Sequence, residues 1–243
     1  MSAYLLYICQ GINDRSELER YWAVTQATFE GRGMKVLAAY TPFDVLEGDG
    51  PVLGVVIAEF PTYAGAKDWY DSPGYISGRQ HRIRGASYLG ILAEGGYIPA
   101  DDRMPGVKPS LGHPSEAAGA VDVPVRAAIQ VDDEQPAYLF YICRDVKERA
   151  GLEKYWAEVG PTLAGTDAEM LVAYTPFEVL EGDVEVIGVV LTRFASMTKA
   201  REWYHGAAYS AVRPYRTGST DYLGLLVQGG WLPPEERMIG AGS

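Results

Sequence analysis

The stretch Val45-Leu46-Glu47-Gly48-Asp49 occurs a second time as Val179-Leu180-Glu181-Gly182-Asp183. At the same offset of 134 residues, positions 4–104 align with positions 138–238 without a gap, and 44 of the 101 aligned positions are identical. An ungapped repeat of this length indicates the same fold twice in tandem. The chain is therefore a duplication, and the repeated stretch marks equivalent points of its two halves.

The repeat divides the chain into two modules and a linker. We predict module 1 over residues 1–104, a linker over 105–137 and module 2 over 138–243. The linker is rich in proline among glycine, alanine, serine and acidic residues, a composition typical of extended connections.

The composition limits the classes of partner. The chain has 243 residues, a formal charge of -11, an isoelectric point near 4.8 and 47% hydrophobic residues. An acidic globular chain is poorly suited to phosphate backbones or anionic membranes, so we expect no nucleic acid and no membrane partner. Without a signal peptide or an apolar run of about 20 residues, a cytoplasmic location is expected. Cys9 and Cys143 lie in apolar strand patterns and are expected in the core.

Each repeat carries the pattern β-α-β-β-α-β. In module 1, residues 4–9 form an apolar strand, and a helix follows for which Ser16 is the expected N-cap. Residues 34–46 form a strand that Pro42 marks as an edge or a bend, and residues 52–60 are expected to pair with it as an antiparallel hairpin. The second helix is split at Ser72-Pro73, before a last strand at 88–93.

That element order predicts an α+β fold of two ferredoxin-like modules. In such a module both helices cover one face of an antiparallel sheet, yet the strands are apolar on both faces. The uncovered face therefore needs a partner, and the second module supplies one. We predict that the two sheets pack into a pseudo-dimeric α/β barrel within one chain, which could dimerise further.

Module 1 resembles the bacterial family DUF1330 of the dimeric α/β barrel superfamily. The resemblance lies in Glu47-Gly48-Asp49, in the strand from Val55 to Pro61, in Trp69-Tyr70-Asp71-Ser72-Pro73, and in Tyr75 and Arg82. It implies single modules that dimerise, which are fused in this chain. The superfamily includes cofactor-free monooxygenases, isomerases, polyketide cyclases and haem proteins, so the resemblance does not select a reaction.

The split helix presents a candidate binding face. Tyr75, Arg79 and Arg82 follow at i, i+4 and i+7, so their side chains share one side of the helix. Guanidinium groups beside a phenol hydroxyl suit a carboxylate or an enolate. The alternative is a surface helix whose arginines pair with the abundant acids. In module 2 the equivalents are Tyr209, Arg213 and Arg216, although Pro214 is expected to interrupt their helix.

Three residues are candidates for proton transfer. His81 in module 1 and His205 in module 2 are candidates because imidazole is the commonest general base in enzymes, but neither has a histidine counterpart in the other repeat. Glu47 lies next to a glycine turn, where it could act as a base at the barrel mouth, cap the turn or pair with an arginine. Scattered histidines give no metal-ligand spacing, so no metal is expected.

Aromatic residues predict a binding cavity. Tyr7, Tyr40 and Trp69 have identical residues at the equivalent positions of module 2 and are candidate substrate contacts between sheet and helices. A pocket of this kind suits a flat or apolar organic molecule. Ordinary core packing is the alternative.

Together these features favour a cofactor-independent enzyme of lyase, isomerase or cyclase type that acts by proton transfer on a small acidic or enolisable molecule. No phosphate loop or dinucleotide fingerprint is found, so no cofactor is expected. The alternatives are a cofactor-free monooxygenase of a phenolic substrate and a non-catalytic ligand-binding or structural module. Repeat 2 differs most in the segment around the split helix, so the two modules are not expected to be equivalent in specificity.

Overall fold

The structure, a computed structural model, describes residues 1–103 and 130–237. The elements of module 1 are β1 (Ala3–Ile12), α1 (Arg15–Thr25), β2 (Lys35–Ala39), β3 (Phe43–Glu47), β4 (Gly54–Phe60), α2 (Tyr63–Tyr70), α3 (Pro73–Gly85), β5 (Ala86–Glu94) and β6 (Gly96–Tyr97). Those of module 2 are β7 (Ala137–Val146), α4 (Arg149–Thr162), β8 (Glu169–Ala173), β9 (Phe177–Glu181), β10 (Gly188–Phe194), α5 (Met197–His205), α6 (Ala207–Thr217), β11 (Thr220–Gln228) and β12 (Gly230–Trp231). Most of the predicted linker lies outside the described residues.

The helix starts follow local capping chemistry. Ser72 accepts a hydrogen bond from the backbone nitrogen of Tyr75, and Pro73 takes the first position of α3, as predicted. For α1 the predicted cap was wrong. Asp14, two residues before Ser16, has the extended backbone of an N-cap, and its carboxylate accepts from the nitrogens of Ser16 and Glu17. Aspartate can satisfy two of the free N–H groups at once, so the helix begins there.

In each repeat the long strand predicted before the central turn is broken into two strands that pair in different sheets. β2 pairs with β4 of its own module, whereas β3 crosses to module 2 and pairs with β11. Reciprocally, β9 of module 2 pairs with β5 of module 1. The two six-stranded sheets have the orders β12-β2-β4-β1-β5-β9 and β3-β11-β7-β10-β8-β6. The predicted antiparallel pairing is therefore confirmed for residues 35–39 and wrong for residues 43–47, because the modules exchange that second part of the strand.

The exchange begins at a corner between β2 and β3. Tyr40 has a φ of 58°, in the left-handed region that side chains other than glycine rarely occupy, and this turns the chain out of its own sheet. The corner is held by the other module: Thr41 donates its hydroxyl hydrogen to the carbonyl of Gln228, whose nitrogen donates to the carbonyl of Pro42 at 2.9 Å. Pro42 thus marks a bend, one of the two alternatives expected for it.

The apolar faces of the two sheets pack on each other. Their shared core includes Leu6, Ile8, Val55, Ile57 and Ile91 of module 1 and Phe140, Ile142, Val189, Leu191 and Leu225 of module 2. The helices cover the outer faces, where each module has a second, aromatic core. The α+β fold of two ferredoxin-like modules in a pseudo-dimeric barrel is confirmed. Cys9 and Cys143 are buried free thiols. Among the described residues, no helix is both long and apolar enough to cross a membrane.

Gly48 ends β3 with no space for a side chain. Its φ is 81°, and a Cβ atom there would overlap the carbonyl oxygen of Tyr222 on β11. We expect Gly48→Ala to lower the free energy of unfolding by about 1–3 kcal/mol more than Gly50→Ala, as overpacking does. Gly50 is the matched control, because it also has a positive φ, 116°, but has open space where a Cβ would lie. Urea unfolding of both variants measures the difference, and equal losses would contradict it.

Candidate functional site

The exchanged strand places a carboxylate of module 1 against a buried arginine of module 2. Arg216 on α6 is only 2% exposed, and its two terminal nitrogens donate to Glu47 at 2.8 and 2.6 Å. Tyr204 donates to the same carboxylate at 2.7 Å. Gly224 on β11 pairs with Glu47, and because it has no side chain the Tyr141 ring can pack against its backbone. The result is a bidentate ion pair between modules.

Tyrosine rings enclose the guanidinium group. The rings of Tyr141, Tyr222 and Tyr155 lie 4.5, 4.9 and 5.2 Å from the guanidinium carbon of Arg216. Such contacts stabilise a desolvated cation. Burial raises the pKa of all three phenols well above its ordinary value, so they remain neutral hydrogen-bond donors. A fourth tyrosine, Tyr209, accepts from Arg216 at 2.9 Å and contacts the hydroxyls of Tyr141 and Tyr155 at 3.4 Å each.

Module 1 has the reciprocal cluster. Arg82 on α3 is 2% exposed and forms a short ion pair with Glu181, which β9 brings from module 2. Tyr70 and Tyr7 donate to Glu181 at 2.8 and 3.3 Å, and the hydroxyls of Tyr7 and Tyr75 are 3.5 Å apart. Burial opposes ionisation of Glu181, but the adjacent Arg82 charge outweighs it and lowers the pKa of this carboxyl.

A cavity of about 280 Å³ opens beside Arg216, between the sheet and helices of module 2. The aromatic residues that module 2 contributes to its lining are Tyr141, Tyr155, Trp156, Tyr174, Trp203 and Tyr222. The hydroxyls of Tyr174 and Tyr222 are 2.7 Å apart, and Trp156 donates to Tyr174 at 3.0 Å. The cavity is thus apolar, with a few polar groups gathered at its wall, as in small-molecule sites.

Module 1 also closes the outer end of this cavity. β6 runs parallel to β8, and Tyr97 at its end lines the cavity while remaining 57% exposed. Arg103, just after a short 3₁₀ helix at Ala100–Asp102, lies over the Tyr97 ring at 4.7 Å and lines the cavity as well. The site of module 2 therefore receives both Glu47 and its outer wall from module 1.

A family profile described as a domain of unknown function, DUF1330, matches residues 2–96 and 136–230. The chain belongs to the DUF1330 family. Both DUF1330 segments include the exchanged strand and the split helix, so each family segment contributes to two clusters. Among curated proteins, none matches the chain.

Solved structures resemble the DUF1330 tandem only distantly. A proposed monooxygenase from Lactobacillus acidophilus NCFM is 12% identical over 96% of this chain and 99% of its own, with a TM-score of 0.44. An anthrone oxidase-like protein is 8% identical over 100% of this chain and 96% of its own, with a TM-score of 0.49. A chlorite dismutase variant from Candidatus Nitrospira defluvii is 9% identical over 97% and 93%, with a TM-score of 0.45. None of these matches assigns an activity to this chain.

Several residues predicted from the sequence lie in the two clusters of the DUF1330 tandem. Tyr75, Arg82 and Tyr7 lie in the cluster of module 1, and Glu47 and Tyr209 lie in that of module 2. Of the alternatives for Glu47, the structure shows the pairing with an arginine, and the partner belongs to the other module. Their roles in binding or catalysis stay predictions.

Other predicted contacts lie at the edges of the clusters. Arg79 lies over the Tyr70 ring at 4.3 Å, and Arg213 lies over Tyr204 at 4.7 Å. Trp69 is buried and donates to Thr28 at 3.0 Å, and the Tyr40 hydroxyl is 3.1 Å from that of Tyr88. Pro214 does not interrupt α6, which continues to Thr217. We attribute this to the packing of Arg216, which offsets the local cost of proline.

Among the described residues, His81 has no contact with the two clusters, and His205 meets the module 2 cluster only through the ring of Tyr204. His81 lies on the side of α3 that faces α1, where its Nδ1 is 2.8 Å from Glu17. His205 is exposed at the end of α5, with its ring against Tyr204 at 5.1 Å. Within residues 1–103 and 130–237, no three histidine, cysteine, aspartate or glutamate side chains are grouped as metal ligands.

Glu17 holds α1 against α3 and predicts an acid-dependent loss of stability. Hydrogen bonds from His81, then from Arg84, lower the pKa of Glu17 from 4.5 to about 2. A lowered carboxyl pKa stabilises the fold above the unfolded value, and this stabilisation is lost as the pH falls from 4.5 towards 2. We expect Glu17→Gln to flatten this part of the stability curve. Glu19→Gln, which breaks only an exposed pair with Arg15, is the control and should leave the slope unchanged.

Sequence reasoning missed three residues of the site: Arg103 of module 1, and Tyr204 and Tyr155 of module 2. No local sequence pattern marks Arg103 as a site residue, because it lies between the end of the first family segment, at residue 96, and the predicted linker. Tyr204 and Tyr155 read as ordinary helix core. Each of the three has an identical residue at the equivalent position of the other repeat, namely Arg237, Tyr70 and Tyr21. This identity could have marked them as candidates.

Proposed function

We propose that the protein is a cofactor-independent enzyme that acts by proton transfer on a small aromatic, enolisable molecule bound in the module 2 cavity. The observation that carries this proposal is the cavity itself, an aromatic pocket with tyrosine hydroxyls and Arg216 at one wall. Reactions of lyase, isomerase or cyclase type that pass through an enolate belong to this class.

Donors at the cavity wall would stabilise the enolate. Arg216 is paired with Glu47, so the pair brings N–H donors close to the ligand with little net charge. Neutral phenols such as Tyr141 add O–H donors in a site that excludes water, where each donor to an oxyanion contributes about 10²–10³ in rate. The aromatic walls would hold the flat part of the substrate.

Glu47 is the carboxylate that we assign to accept the substrate proton, through Tyr141. The Tyr141 ring and the Glu47 side chain both lie against Gly224, and the Tyr141 hydroxyl, which is 3.4 Å from that of Tyr209, would turn towards Glu47 for this transfer. The carbon–hydrogen bond breaks, its electrons form the enolate, and the proton passes by the hydroxyl to the carboxylate. Its return to another carbon completes an isomerisation.

Hydrogen exchange tests this activity without knowledge of the natural substrate. An enolisable aromatic ketone such as 2-tetralone is incubated with the protein in D₂O, and NMR follows deuterium incorporation next to the carbonyl. We expect faster incorporation than in buffer, and loss of the acceleration in Leu163→Phe. Leu163 lines the cavity, and module 1 already has phenylalanine, Phe29, at the equivalent position, so the substitution fills space in a way the fold accepts.

The matched control is Phe29→Leu, which alters the other module. It should leave the exchange rate unchanged. Acceleration that survives Leu163→Phe would place the reaction elsewhere, and no acceleration with any ketone of this class would contradict the proposal.

One observation favours a second candidate, oxygenation of a phenolic substrate. Among the described residues that line the cavity there is no carboxylate and no imidazole. A phenolate that reacts with oxygen itself needs to be held and desolvated, and it does not need a base in the wall. Oxygen uptake with a quinone product from a dihydroxynaphthalene would support this candidate over proton transfer.

A further inference from the structure

We propose that the ligand of the module 2 cavity carries a carboxylate, and that Arg103 of module 1 binds this group at the outer end of the cavity. The inference rests on the proposed function and narrows its substrate class to an aromatic acid. It also gives the segment after the last strand of module 1 a role in the specificity of module 2.

Arg103 is a buried cation without a counter-ion in the described part of the chain. The residue is 6% exposed and lines the cavity. Its Nε donates to the carbonyl of Ile98 at 2.8 Å, and no carboxylate of residues 1–103 or 130–237 pairs with its guanidinium group. The other arginine of the lining, Arg216, is neutralised by Glu47. Within residues 1–103 and 130–237, the positive charge that remains unpaired at the cavity is therefore that of Arg103, and an anionic ligand would satisfy it.

The guanidinium group is held in place before a ligand arrives. Its carbon lies 4.7, 5.1 and 5.3 Å from the rings of Tyr97, Tyr174 and Trp156. The Ile98 contact fixes one edge, which leaves the terminal nitrogens to form the parallel hydrogen bonds that carboxylates accept. An oriented donor costs little entropy on binding, so the arrangement suits recognition.

Two pairs of probes test the inference by calorimetry. Phenol is compared with 4-hydroxybenzoate, and 2-naphthol with 6-hydroxy-2-naphthoate, so that each pair differs by one carboxylate at two ligand lengths. We expect the acid of at least one pair to bind at least about tenfold more tightly than its parent phenol. Arg103→Gln should abolish that advantage while leaving the affinity for the parent phenol unchanged. Arg103→Lys keeps the positive charge but loses the two parallel N–H donors of the guanidinium group. It should therefore retain part of the preference for the acid.

The equivalent arginine provides the control. Arg237 lies over Trp22 and Tyr40 in module 1, so Arg237→Gln should leave the carboxylate preference intact. Equal affinities within both pairs, or an Arg103→Gln variant that weakens acid and phenol alike, would overturn the role of Arg103 while the proposed function stands. Absence of binding by all four probes would contradict the proposed function, and the inference with it.

Discussion

Glu47→Leu is expected to lower the free energy of unfolding by about 3–5 kcal/mol, because it leaves the buried charge of Arg216 without a partner. The carboxylate makes two hydrogen bonds to this guanidinium, at 2.8 and 2.6 Å, and the two side chains are only 12% and 2% exposed. The double variant Glu47→Leu, Arg216→Met removes both charges and should recover most of the loss. Denaturant unfolding of the single and double variants measures the effect.

A control for this prediction lies on the same strand. Asp44 forms a bidentate pair with Arg201 at 2.8 and 2.9 Å, but both side chains are about one-third exposed. Asp44→Asn should therefore cost no more than about 1 kcal/mol. If Glu47→Leu were as mild as Asp44→Asn, or if the double variant were no more stable than the single one, the buried pair would not be the cause.

Arg82→Met is expected to invert the acid dependence of stability. In the wild type the pKa of Glu181 is lowered from 4.5, so this carboxylate contributes stability above pH 4.5 that is lost on acidification. Without Arg82, burial raises the same pKa, and the variant should be about 3–5 kcal/mol less stable at pH 7. It should then become more stable relative to the wild type as the pH falls and Glu181 takes up a proton.

Thermal unfolding of the wild type and of Arg82→Met between pH 4 and pH 8 measures this change. The stability difference between the two proteins should become smaller as the pH falls. Arg193→Met is the matched control, because Arg193 pairs with Glu169 at 3.3 Å and both side chains are about half exposed to solvent. It should shift stability little and with no change of slope. A loss of stability in Arg82→Met that is the same at every pH would mean that packing, and not the charge of Glu181, determines the effect.

The fold was predictable because its signals are local or repeated. The capped start of α3 at Ser72-Pro73 and the apolar strands indicate their own structure. The need to cover a second apolar face then brings the two repeats together. The destination of β3 was not predictable in this way. The sequence pattern of a strand with Pro42 near its start does not show whether the strand pairs in its own sheet or in the other one, because both pairings satisfy its backbone hydrogen-bonding groups.

The candidate site was predictable only in part, for the same reason. Tyr75 and Arg82 share a helix face, and helical spacing indicates this from the sequence. Glu181 is 99 residues from Arg82, and no local pattern relates the two. His81 is different, because its chemistry suggests a base, while in the structure the helix turns its side chain towards Glu17. Side-chain chemistry suggests what a residue can do, and tertiary placement decides where it does it.

The exchange of β3 and β9 means that the genetic unit and the functional unit of this protein do not coincide. A mutation in residues 43–49 or 97–103 changes the pocket of the opposite half, so the two halves cannot acquire new specificities independently. Engineering of the module 2 pocket should therefore draw on both halves of the gene. Recombination that replaces one repeat with a foreign one would change one partner of each buried arginine–glutamate pair and leave neither pair intact.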